Sequence, residues 1–518
     1  MTHKLFRNLY RDTVSLMQLS ATLGALAGIR RASAVMASEA NLALLREAGL
    51  AVGDIQAGPN DLVVAIEGED DALADAMATA EAALIDGRAR PEGESGRRRL
   101  APRSIEMALG ELPTTNLALI STPGEYAAAE AWKALRLGLH VMLFSDNVAI
   151  EDEIALKRYA REHELIVMGP DCGTAIVGGV PLGFANVVRR GEIGAVAASG
   201  TGLQQVTCLI DRLGKGISHA IGTGGHDLSA RVGGITMLQG LEALAADPAT
   251  KVIVLISKPP DPEVAAQVLR AAGKAGKPVV VNFLGADPAT ILGANLHAAR
   301  TLEDAARIAV ALAGGRRPDE PTADDRPMAA AAAETLRFAP GQHYVRGLYS
   351  GGTFCYEALL LLEETLGPVH SNTPLDPRYR LPDVRRSVGH TAIDLGDDAF
   401  TRGRPHPMID QGLRNERILK EAADPEVAVV LLDVVLGYGA HADPAAEMRP
   451  AIEAARRRAA VNGRHLVVVG SVCGTAADPQ CLARQEAALR EAGVLLAESN
   501  AQAVRLAARI ASRPGAGP

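Results

Sequence analysis

The sequence predicts an α/β protein of several domains, built mainly from parallel sheets. Short apolar runs alternate with helical patterns along most of the chain, which is typical of strand–helix–strand units. The 518 residues include 52 glycines and only 3% aromatic residues, and they exceed the roughly 250 to 300 residues that one hydrophobic core serves. A strand, a Ser-Gly turn and a helix occur twice, around Ser199 and around Ser350, which predicts two related domains.

The first third of the chain predicts two different α/β units. Residues 1–88 alternate strand and helix three times, which indicates a small α+β sandwich of the ferredoxin-like kind, with Asp12 or Thr13 capping its first helix. Residues 89–103 combine Gly, Pro and clustered charge without apolar periodicity and are predicted to be a linker. Residues 104–190 contain two strand–helix–strand crossovers, which favour a Rossmann-like parallel sheet with its binding loops at the carboxyl edge.

The two repeated units account for most of the remaining chain. Residues 191–315 and 343–518 are each predicted to form a flavodoxin-like domain, an ordinary domain size for a single core. Residues 316–342, rich in Pro, Asp and Ala, are predicted to link them. Asp247-Pro248 and Asp424-Pro425 stand before corresponding strands of the two copies, which supports the repeat.

Both Ser-Gly turns follow a predicted strand and open a predicted helix. Unpaired backbone N–H groups and the helix dipole stabilise an anion at such a junction without a cationic side chain. Gly-rich turns of this kind also occur in α/β folds without a ligand, but the occurrence of two such turns favours a phosphate or an acyl group as the ligand. The candidate binding residues are Ser199, Gly200 and Thr201, the facing loop Gly222, Thr223, Gly224 and Gly225, and Ser350, Gly351, Gly352 and Thr353 in the second copy.

The densest polar cluster of the chain predicts a catalytic site in the last domain. Two histidines among four carboxylates can supply a general acid and base or bind a hard divalent cation, and a solvent-facing loop with helix-capping Asp residues is the alternative. We predict no metal. The cluster comprises His390, Asp394, Asp397, Asp398, His406 and Asp410. The candidate catalytic residues are His390, Asp394, His406 and Asp433; Asp433 ends a separate apolar strand and either orients a substrate amide or caps a turn.

Three further residues have two interpretations each, and a fourth, Asp443, has one. Cys172 and Cys473 lie at strand-to-turn junctions, where a thiol is either a nucleophile or a small buried side chain. His226 either contacts substrate or is an exposed loop residue, and Asp443 is expected to begin a helix with Pro444.

Composition excludes several classes of partner. The formal net charge of −8 disfavours nucleic-acid binding, which needs a basic face. The sequence contains no uninterrupted stretch of about 18 apolar residues, so it predicts no membrane segment. Five cysteines without paired metal-type spacing predict reduced thiols and a cytoplasmic location.

Several spaced motifs resemble acyl-CoA synthetases. The segments Gly169-Pro170-Asp171-Cys172-Gly173, Gly191-Glu192-Ile193-Gly194 with Ala198-Ser199-Gly200-Thr201, and Gly222-Thr223-Gly224-Gly225 are similar to the alpha subunit of succinyl-CoA synthetase. The last domain resembles the ligase domain of the beta subunit, fused onto the same chain. This order, behind a small N-terminal domain, resembles the FdrA family. The resemblance implies a CoA-binding-type domain at 104–190 and ligase-type domains at 191–315 and 343–518.

Departures from the resembled family limit the expected chemistry. The family's phosphate-carrying histidine lies in a GHAGA-like segment, and here the corresponding connection holds only His297, either a carrier or a surface residue. The glycine-rich loop that cradles CoA in the family has no counterpart before Thr114. No ATP-grasp domain is recognisable either, so a self-sufficient ATP-dependent ligase is not expected.

The FdrA resemblance implies one subunit of a carbamoyltransferase in ureide nitrogen use. Such an enzyme converts oxalurate and phosphate to oxamate and carbamoyl phosphate together with other subunits, with phosphate as substrate and CoA as a possible cofactor. One alternative is an acyl-CoA synthetase or CoA-dependent acyl transferase whose nucleotide-handling subunit is a separate chain. The other is a non-catalytic sensor or scaffold. In each case we expect an oligomer that binds small molecules and not nucleic acid or membrane.

Overall fold

The computed structural model describes residues 1–11, 13–50, 56–58, 60–86, 102–317, 331, 333–401 and 404–512. Three sequence predictions lie partly or wholly outside these residues. They are the cap at Asp12, all but the last two positions of the 89–103 linker, and positions 318–330 and 332 of the 316–342 linker.

The described elements alternate strand and helix over most of the chain, with four consecutive strands, β6 to β9, as the main exception. The strands are β1 Thr2–Phe6, β2 Ile29–Met36, β3 Leu62–Gly68, β4 Leu117–Ile120, β5 His140–Leu143, β6 Val167–Met168, β7 Thr174–Val177, β8 Val180–Gly183, β9 Arg190–Ala197, β10 Ile217–Gly222, β11 Val252–Ser257, β12 Val279–Phe283, β13 Leu296–Ala298, β14 Tyr344–Tyr349, β15 Val369–His370, β16 His390–Asp394, β17 Val427–Val435, β18 Val467–Cys473 and β19 Val494–Ala497. The helices are α1 Thr13–Gly24, α2 Glu39–Glu47, α3 Asp70–Asp86, α4 Ile105–Glu111, α5 Gly124–Arg136, α6 Ile150–Glu162, α7 Gly200–Arg212, α8 Ile235–Ala246, α9 Pro262–Ala272, α10 Leu302–Ala313, α11 Gly352–Leu366, α12 Asp398–Thr401, α13 Gly412–Glu421, α14 Pro444–Val461, α15 Leu482–Glu491 and α16 Asn500–Ala511.

The N-terminal domain is the small α+β unit that the sequence predicts. Its antiparallel sheet has the order β1-β3-β2. Residues 62–66 of the central strand β3 are an unbroken apolar run, as expected for a strand with both faces covered. Leu62, Val64 and Ile66 pack in one buried cluster with α1 and α3, whereas Val63 and Ala65 pack in another with α2.

A three-stranded parallel sheet, β4-β5-β6, follows and carries α5 and α6. The next sheet has the order β13-β12-β11-β9-β10-β7-β8, with β9 to β13 parallel and the hairpin β7–β8 antiparallel at one edge. The prediction placed this hairpin in the preceding domain, with a boundary at residue 190. The structure adds it to the second sheet because Ile176 of β7 pairs with Ala220 of β10.

The last sheet is parallel and has the order β15-β16-β14-β17-β18-β19. Five of its strands, β16-β14-β17-β18-β19, repeat the order β10-β9-β11-β12-β13 of the preceding sheet. The repeat that the sequence suggested is therefore a repeat of topology. It makes α7, after β9, the equivalent of α11, after β14.

The two repeated domains share one buried apolar cluster. Leu203 of α7 and Phe354 of α11 both belong to it, and the two helices are in contact. A buried polar bond also crosses the junction, because Glu357 accepts the Leu302 N–H at 2.8 Å; Asn500 Nδ2, in the same domain as Glu357, donates to its other oxygen at 2.8 Å. This packing fixes the beginnings of α7 and α11 relative to each other.

Candidate functional site

A cavity of about 1300 Å³ lies where the two repeated domains, the three-stranded sheet and the N-terminal domain meet. Its lining includes residues within two positions of the carboxyl ends of three parallel strands, namely Ser199 after β9, Lys258 after β11 and Ser350 after β14. Ligands of parallel α/β sheets bind at this edge. The cavity therefore occupies the position that the topology favours for a site.

The two predicted anion-binding turns meet at this cavity. Ser199 Oγ and Thr353 Oγ1 are 2.6 Å apart and share a hydrogen bond. The two turns also approach each other at Gly351, because a Cβ added there would lie 3.0 Å from Thr201 Cγ2. The beginnings of α7 and α11 thus abut across the domain junction, one from each copy of the repeat.

The first turn presents unpaired backbone donors. Ser199 is the N-cap of α7, and its Oγ accepts the Gly202 N–H at 2.9 Å. The N–H groups of Gly200 and Thr201 have no acceptor among the described residues, as expected for the first two positions of a helix. The N–H groups of Gly352 and Thr353 at the start of α11 are in the same situation. Four backbone donors and two helix dipoles are available at this place.

Asp433 holds the second turn from behind. Its buried carboxylate accepts the Ser350 N–H at 2.8 Å, the Ser350 hydroxyl at 2.8 Å and the Gly351 N–H at 2.9 Å. Buried Arg414 donates to the same carboxylate at 2.9 Å. Asp433 is not among the residues that line the cavity. The expectation that it catalyses or orients substrate is therefore replaced by a structural role, because all its contacts are internal.

Lys258 is a cavity residue that the sequence reasoning did not single out. It follows β11 directly, and its Nζ would lie 3.5 Å from a Cβ added at Gly352. Its positive charge favours the ionised forms of Asp171 and Asp394. The sequence feature that could have identified Lys258 is the Lys-Pro-Pro run directly after the apolar strand VIVLIS, which ends at the same sheet edge as the two turns.

Two acidic groups lie beside Lys258. Burial raises the pKa of Asp394 to about 6, against the opposing charge of Lys258 and the Gly396 N–H, which the carboxylate accepts at 3.0 Å. Burial likewise raises the pKa of Asp171, which lines the cavity, to about 6. Asp394 lies directly behind the start of α11, since a Cβ at Gly352 would approach its Oδ2 to 2.5 Å.

His406 lines the cavity as a neutral hydrogen-bond donor. Its Nδ1 accepts the Met408 N–H at 3.2 Å, which places the ring proton on Nε2. Burial, with a contribution from the charge of Arg414, lowers the pKa of His406 to about 4. At neutral pH the Nε2–H group can therefore donate to a carbonyl or phosphate oxygen in the cavity.

The predicted cluster of the last domain is divided by the structure. His390 begins β16 and Asp394 ends it, so at about 3.3 Å per residue they lie roughly 13 Å apart. His390 Nδ1 accepts the Val345 N–H at 3.2 Å and its ring packs on Tyr344, away from the cavity. Burial lowers the pKa of His390 to about 4. The expectation that His390 is catalytic beside Asp394 is not supported by this placement.

The facing loop reaches the cavity through its glycines. Gly222, Gly224 and Gly225 line it, whereas Thr223 is fully buried and donates its N–H to Ala197 O at 2.8 Å. Gly224 has φ +83°, and a Cβ there would lie 2.1 Å from Pro170 O. Only glycine fits at this crossing of two loops.

Some of the remaining candidates line the cavity, and others lie away from it. Asp397 and Asp398 line the cavity, whereas Asp410 instead accepts the Gly412 N–H at 2.7 Å. Burial raises the pKa of Cys172 to about 12, which disfavours its thiolate. Three others lie elsewhere: Cys473 is buried against Cys208 with sulfurs 4.0 Å apart, His297 pairs within the sheet as part of β13, and Asp443 caps α14 as expected.

The two repeated domains that form this cavity match CoA-ligase and CoA binding domain families. The family model described as CoA-ligase matches residues 348–510, and that of the CoA binding domain matches residues 189–285, on the sheet that carries Ser199 rather than on 104–190. The chain is 44% identical over 495 residues to the uncharacterized protein YahF of Escherichia coli (strain K12), covering 95% of each, and it belongs to the same family.

Two further likenesses are more distant. The chain is 30% identical over 208 residues to subunit alpha 2 of the ADP-forming succinate–CoA ligase of Archaeoglobus fulgidus, covering 39% of this chain and 69% of the relative. The dinucleotide-forming acetyl-coenzyme A synthetase 1 of Ca. Korarchaeum cryptofilum, in complex with phosphate and ADP, aligns over 82% of this chain and 87% of its own with a TM-score of 0.31 and 14% identity. The two family models and the succinate–CoA ligase relative confirm the predicted acyl-CoA-synthetase-like class. Membership of FdrA and the carbamoyltransferase role stay predictions.

A third family model, described as AllF, heavy metal-associated domain, matches residues 1–100. Heavy metals favour thiolate ligands. This segment contains no cysteine and only one histidine, His3. Nowhere in the described part of the chain do three His, Cys, Asp or Glu residues group as a metal site. The residues present therefore do not fit a heavy-metal site. As for membranes, none of the described helices has the length and apolarity to cross a bilayer.

Proposed function

We propose that this chain carries the acyl-transfer step of a CoA-ligase-type reaction. In that step a thiol attacks the carbonyl carbon of an acyl phosphate; the carbon–sulfur bond forms, the carbon–oxygen bond to phosphate breaks, and a thioester and phosphate result. The observation that carries the proposal is the 2.6 Å contact between Ser199 and Thr353, which joins two helix beginnings at one cavity. The CoA-ligase and CoA-binding matches on the same two domains support it.

The phosphate group occupies the junction of α7 and α11. Backbone N–H groups of Gly200, Thr201, Gly352 and Thr353 donate to its oxygens, and both helix dipoles stabilise its charge. Lys258 supplies a cation at the same place. Since these donors are fixed by the fold, they stabilise negative charge that develops on the departing phosphate without reorganising.

His406 serves the carbonyl side of the reaction. The residue lines the same cavity and its neutral ring keeps the proton on Nε2, so this group donates to the oxyanion that forms when the thiol attacks. CoA is the thiol that the family matches favour. The formation of the acyl phosphate from a nucleotide is assigned to a separate subunit, since no nucleotide-handling domain is recognisable in the sequence.

Thioester formation tests the proposal. The purified chain is supplied with acetyl phosphate and CoA, first alone and then with the products of neighbouring genes, and acetyl-CoA is measured by chromatography. We expect product in at least one mixture and its loss in Lys258→Met, while Lys274→Met, which removes an exposed lysine of the same domain, keeps it. Absence of acetyl-CoA from every mixture would contradict the acyl-transfer role.

A second candidate uses the same phosphate site without CoA. Phosphorolysis of oxalurate to oxamate and carbamoyl phosphate needs only a bound phosphate and an oxyanion donor. One observation favours it: residues 102–116, before the sheet that the resemblance assigned to CoA, form only α4 and no strand with a glycine-rich loop, although the CoA binding domain model matches residues 189–285. Phosphorus NMR with phosphate and oxalurate distinguishes the candidates, because carbamoyl phosphate gives its own signal.

A further inference from the structure

We propose that His226 is the general base of this site and that Glu153 is the positioning residue that fixes its tautomer. The identity of the reaction rests on the proposed function, whereas the tautomer rests only on the contacts around the two side chains. His226 follows the facing glycine loop, lines the cavity and is 70% exposed. Its Nδ1 lies 3.7 Å from Glu153 Oε2.

Glu153 is an acidic residue whose second oxygen lacks a donor. It lies on α6 with a side chain that is 1% exposed. Its Oε1 accepts from Lys157 Nζ at 2.7 Å, but its Oε2 has no hydrogen-bond partner in the described structure. A buried carboxylate oxygen without a donor costs free energy, which makes the nearby imidazole N–H of His226 its natural partner.

The surrounding charges strengthen this assignment. Lys157 is shared between two carboxylates, because its Nζ also donates to Asp227 Oδ1 at 2.7 Å. Asp227 has additional donors in the N–H groups of Thr236, at 3.1 Å, and Met237, at 2.8 Å, at the beginning of α8. One ammonium therefore serves two buried carboxylates, and the uncompensated negative charge falls on the Glu153 side. That charge favours a proton on the side of His226 that faces it.

The consequence is a basic nitrogen at the cavity. When Nδ1 keeps its proton for Glu153, the neutral ring carries its lone pair on Nε2. His406 has the opposite arrangement, since its Nδ1 accepts a backbone N–H and its Nε2 is protonated. The two histidines that line the cavity are thus an acceptor and a donor. A reaction that removes a proton from a nucleophile while negative charge grows on a carbonyl oxygen needs this pair.

In the acyl-transfer step, Nε2 of His226 takes the proton of the attacking thiol as the carbon–sulfur bond forms. The electron pair of the breaking carbon–oxygen bond leaves with the phosphate, which the α7 and α11 donors hold. Glu153 stabilises the imidazolium that results. The same proton transfer would serve another nucleophile with an N–H or O–H group, so the assignment does not depend on CoA.

Glu153→Gln tests the tautomer directly. Lys157 binds the oxygen at the Oε1 position, so a glutamine there keeps its carbonyl oxygen toward Lys157 and turns its NH₂ group toward His226. The amide then donates to Nδ1, and the ring proton moves to Nε2. We expect long-range nitrogen-15 NMR of the histidine rings, recorded above the ordinary histidine pKa of about 6.5, to show an Nδ1–H tautomer in the wild type and an Nε2–H tautomer in Glu153→Gln.

The controls separate this proposal from the proposed function. His226→Gln identifies the signal, and Asp152→Asn, an exposed change one residue away on α6, is expected to leave the tautomer unaltered. The proposal is overturned if the wild type shows an Nε2–H tautomer. It is also overturned if Glu153→Gln keeps the Nδ1–H tautomer of the wild type. We also expect turnover of acetyl phosphate and CoA to fall about 10²- to 10⁴-fold in both His226→Gln and Glu153→Gln, with phosphate affinity unchanged. Failure of the wild type to make acetyl-CoA would contradict the proposed acyl-transfer reaction but would not affect the tautomer assignment.

Discussion

The two Ser-Gly turns occupy equivalent places in a repeated fold but are built differently. In the first copy Ile256 pairs with Ala197, the last residue of β9. Leu348 pairs with Leu432 in the second, so the next position beside the end of β14 is Asp433. The apolar side chain of Ile256 therefore lies behind the first turn. The carboxylate of Asp433 lies behind the second turn and accepts the N–H groups of Ser350 and Gly351. Similar sequence around a turn does not ensure that the same donors face the ligand.

Because of this difference, the two copies contribute different groups to the site. The first copy supplies the capping hydroxyl of Ser199 and the cation of Lys258. The second copy supplies a turn whose position is fixed by Asp433 and Arg414, with only the α11 donors beyond it directed to the cavity. The site is thus one composite site rather than two equal ones.

Removing the carboxylate behind the second turn gives the largest expected effect. Asp433→Ala leaves buried Arg414 and two backbone N–H groups without their acceptor, so the free energy of unfolding should fall by about 3–5 kcal/mol. Chemical denaturation measures it. The matched change behind the first turn, Ile256→Val, should cost only about 0.5–1.5 kcal/mol. Equal losses for the two variants would contradict the structural role of Asp433.

The acid beside the second turn gives a pH-dependent effect. The folded pKa of Asp394, about 6, is above the ordinary aspartate value of 3.8, so the folded state binds the proton more tightly and loses stability as pH rises from about 4 to 6. Asp394→Asn lacks this loss. The free energy of unfolding of the variant minus that of the wild type should therefore rise by on the order of 2–3 kcal/mol across that range and then level off. A flat difference would show that Asp394 titrates normally.

The cation of the first copy has no charged counterpart in the second, where the position equivalent to Lys258 is the apolar Val435. Lys258→Met should weaken binding of inorganic phosphate about 10- to 100-fold, the loss of one charge-assisted hydrogen bond. Calorimetric titration measures this, with Lys274→Met as the exposed control. If both variants bind phosphate like the wild type, Lys258 does not belong to the anion site.

The hydroxyl pair that joins the copies gives the smallest effect. Thr353→Val removes the bond to Ser199 and Ser199→Ala also removes the α7 cap, so each should lower stability by about 0.5–1.5 kcal/mol. A double-mutant cycle by thermal unfolding reports the coupling. We expect a positive coupling energy; additive losses would show that the two hydroxyls do not interact.

The sequence was sufficient for features that are local along the chain. The strand–turn–helix units around Ser199 and Ser350 follow from apolar periodicity and glycine, and the predicted α/β class is confirmed. It was insufficient where chemistry depends on which strand ends meet. His390 and Asp394 are four residues apart but lie at opposite ends of β16, and Asp433 is turned inward by Arg414. Lys258 and Glu153 were not recognised because the groups they approach at the cavity, Gly352 and His226 respectively, are distant from them in the chain.

Binding of inorganic phosphate to the intact chain is the most direct test of the composite site. Calorimetric titration would compare the wild type with Lys258→Met, Thr353→Val and Lys274→Met. We predict one phosphate per chain, a weaker affinity in Lys258→Met and Thr353→Val, and an unchanged affinity in Lys274→Met. Two equal phosphates per chain, or affinities that none of the variants changes, would contradict a single site made by both copies of the repeat.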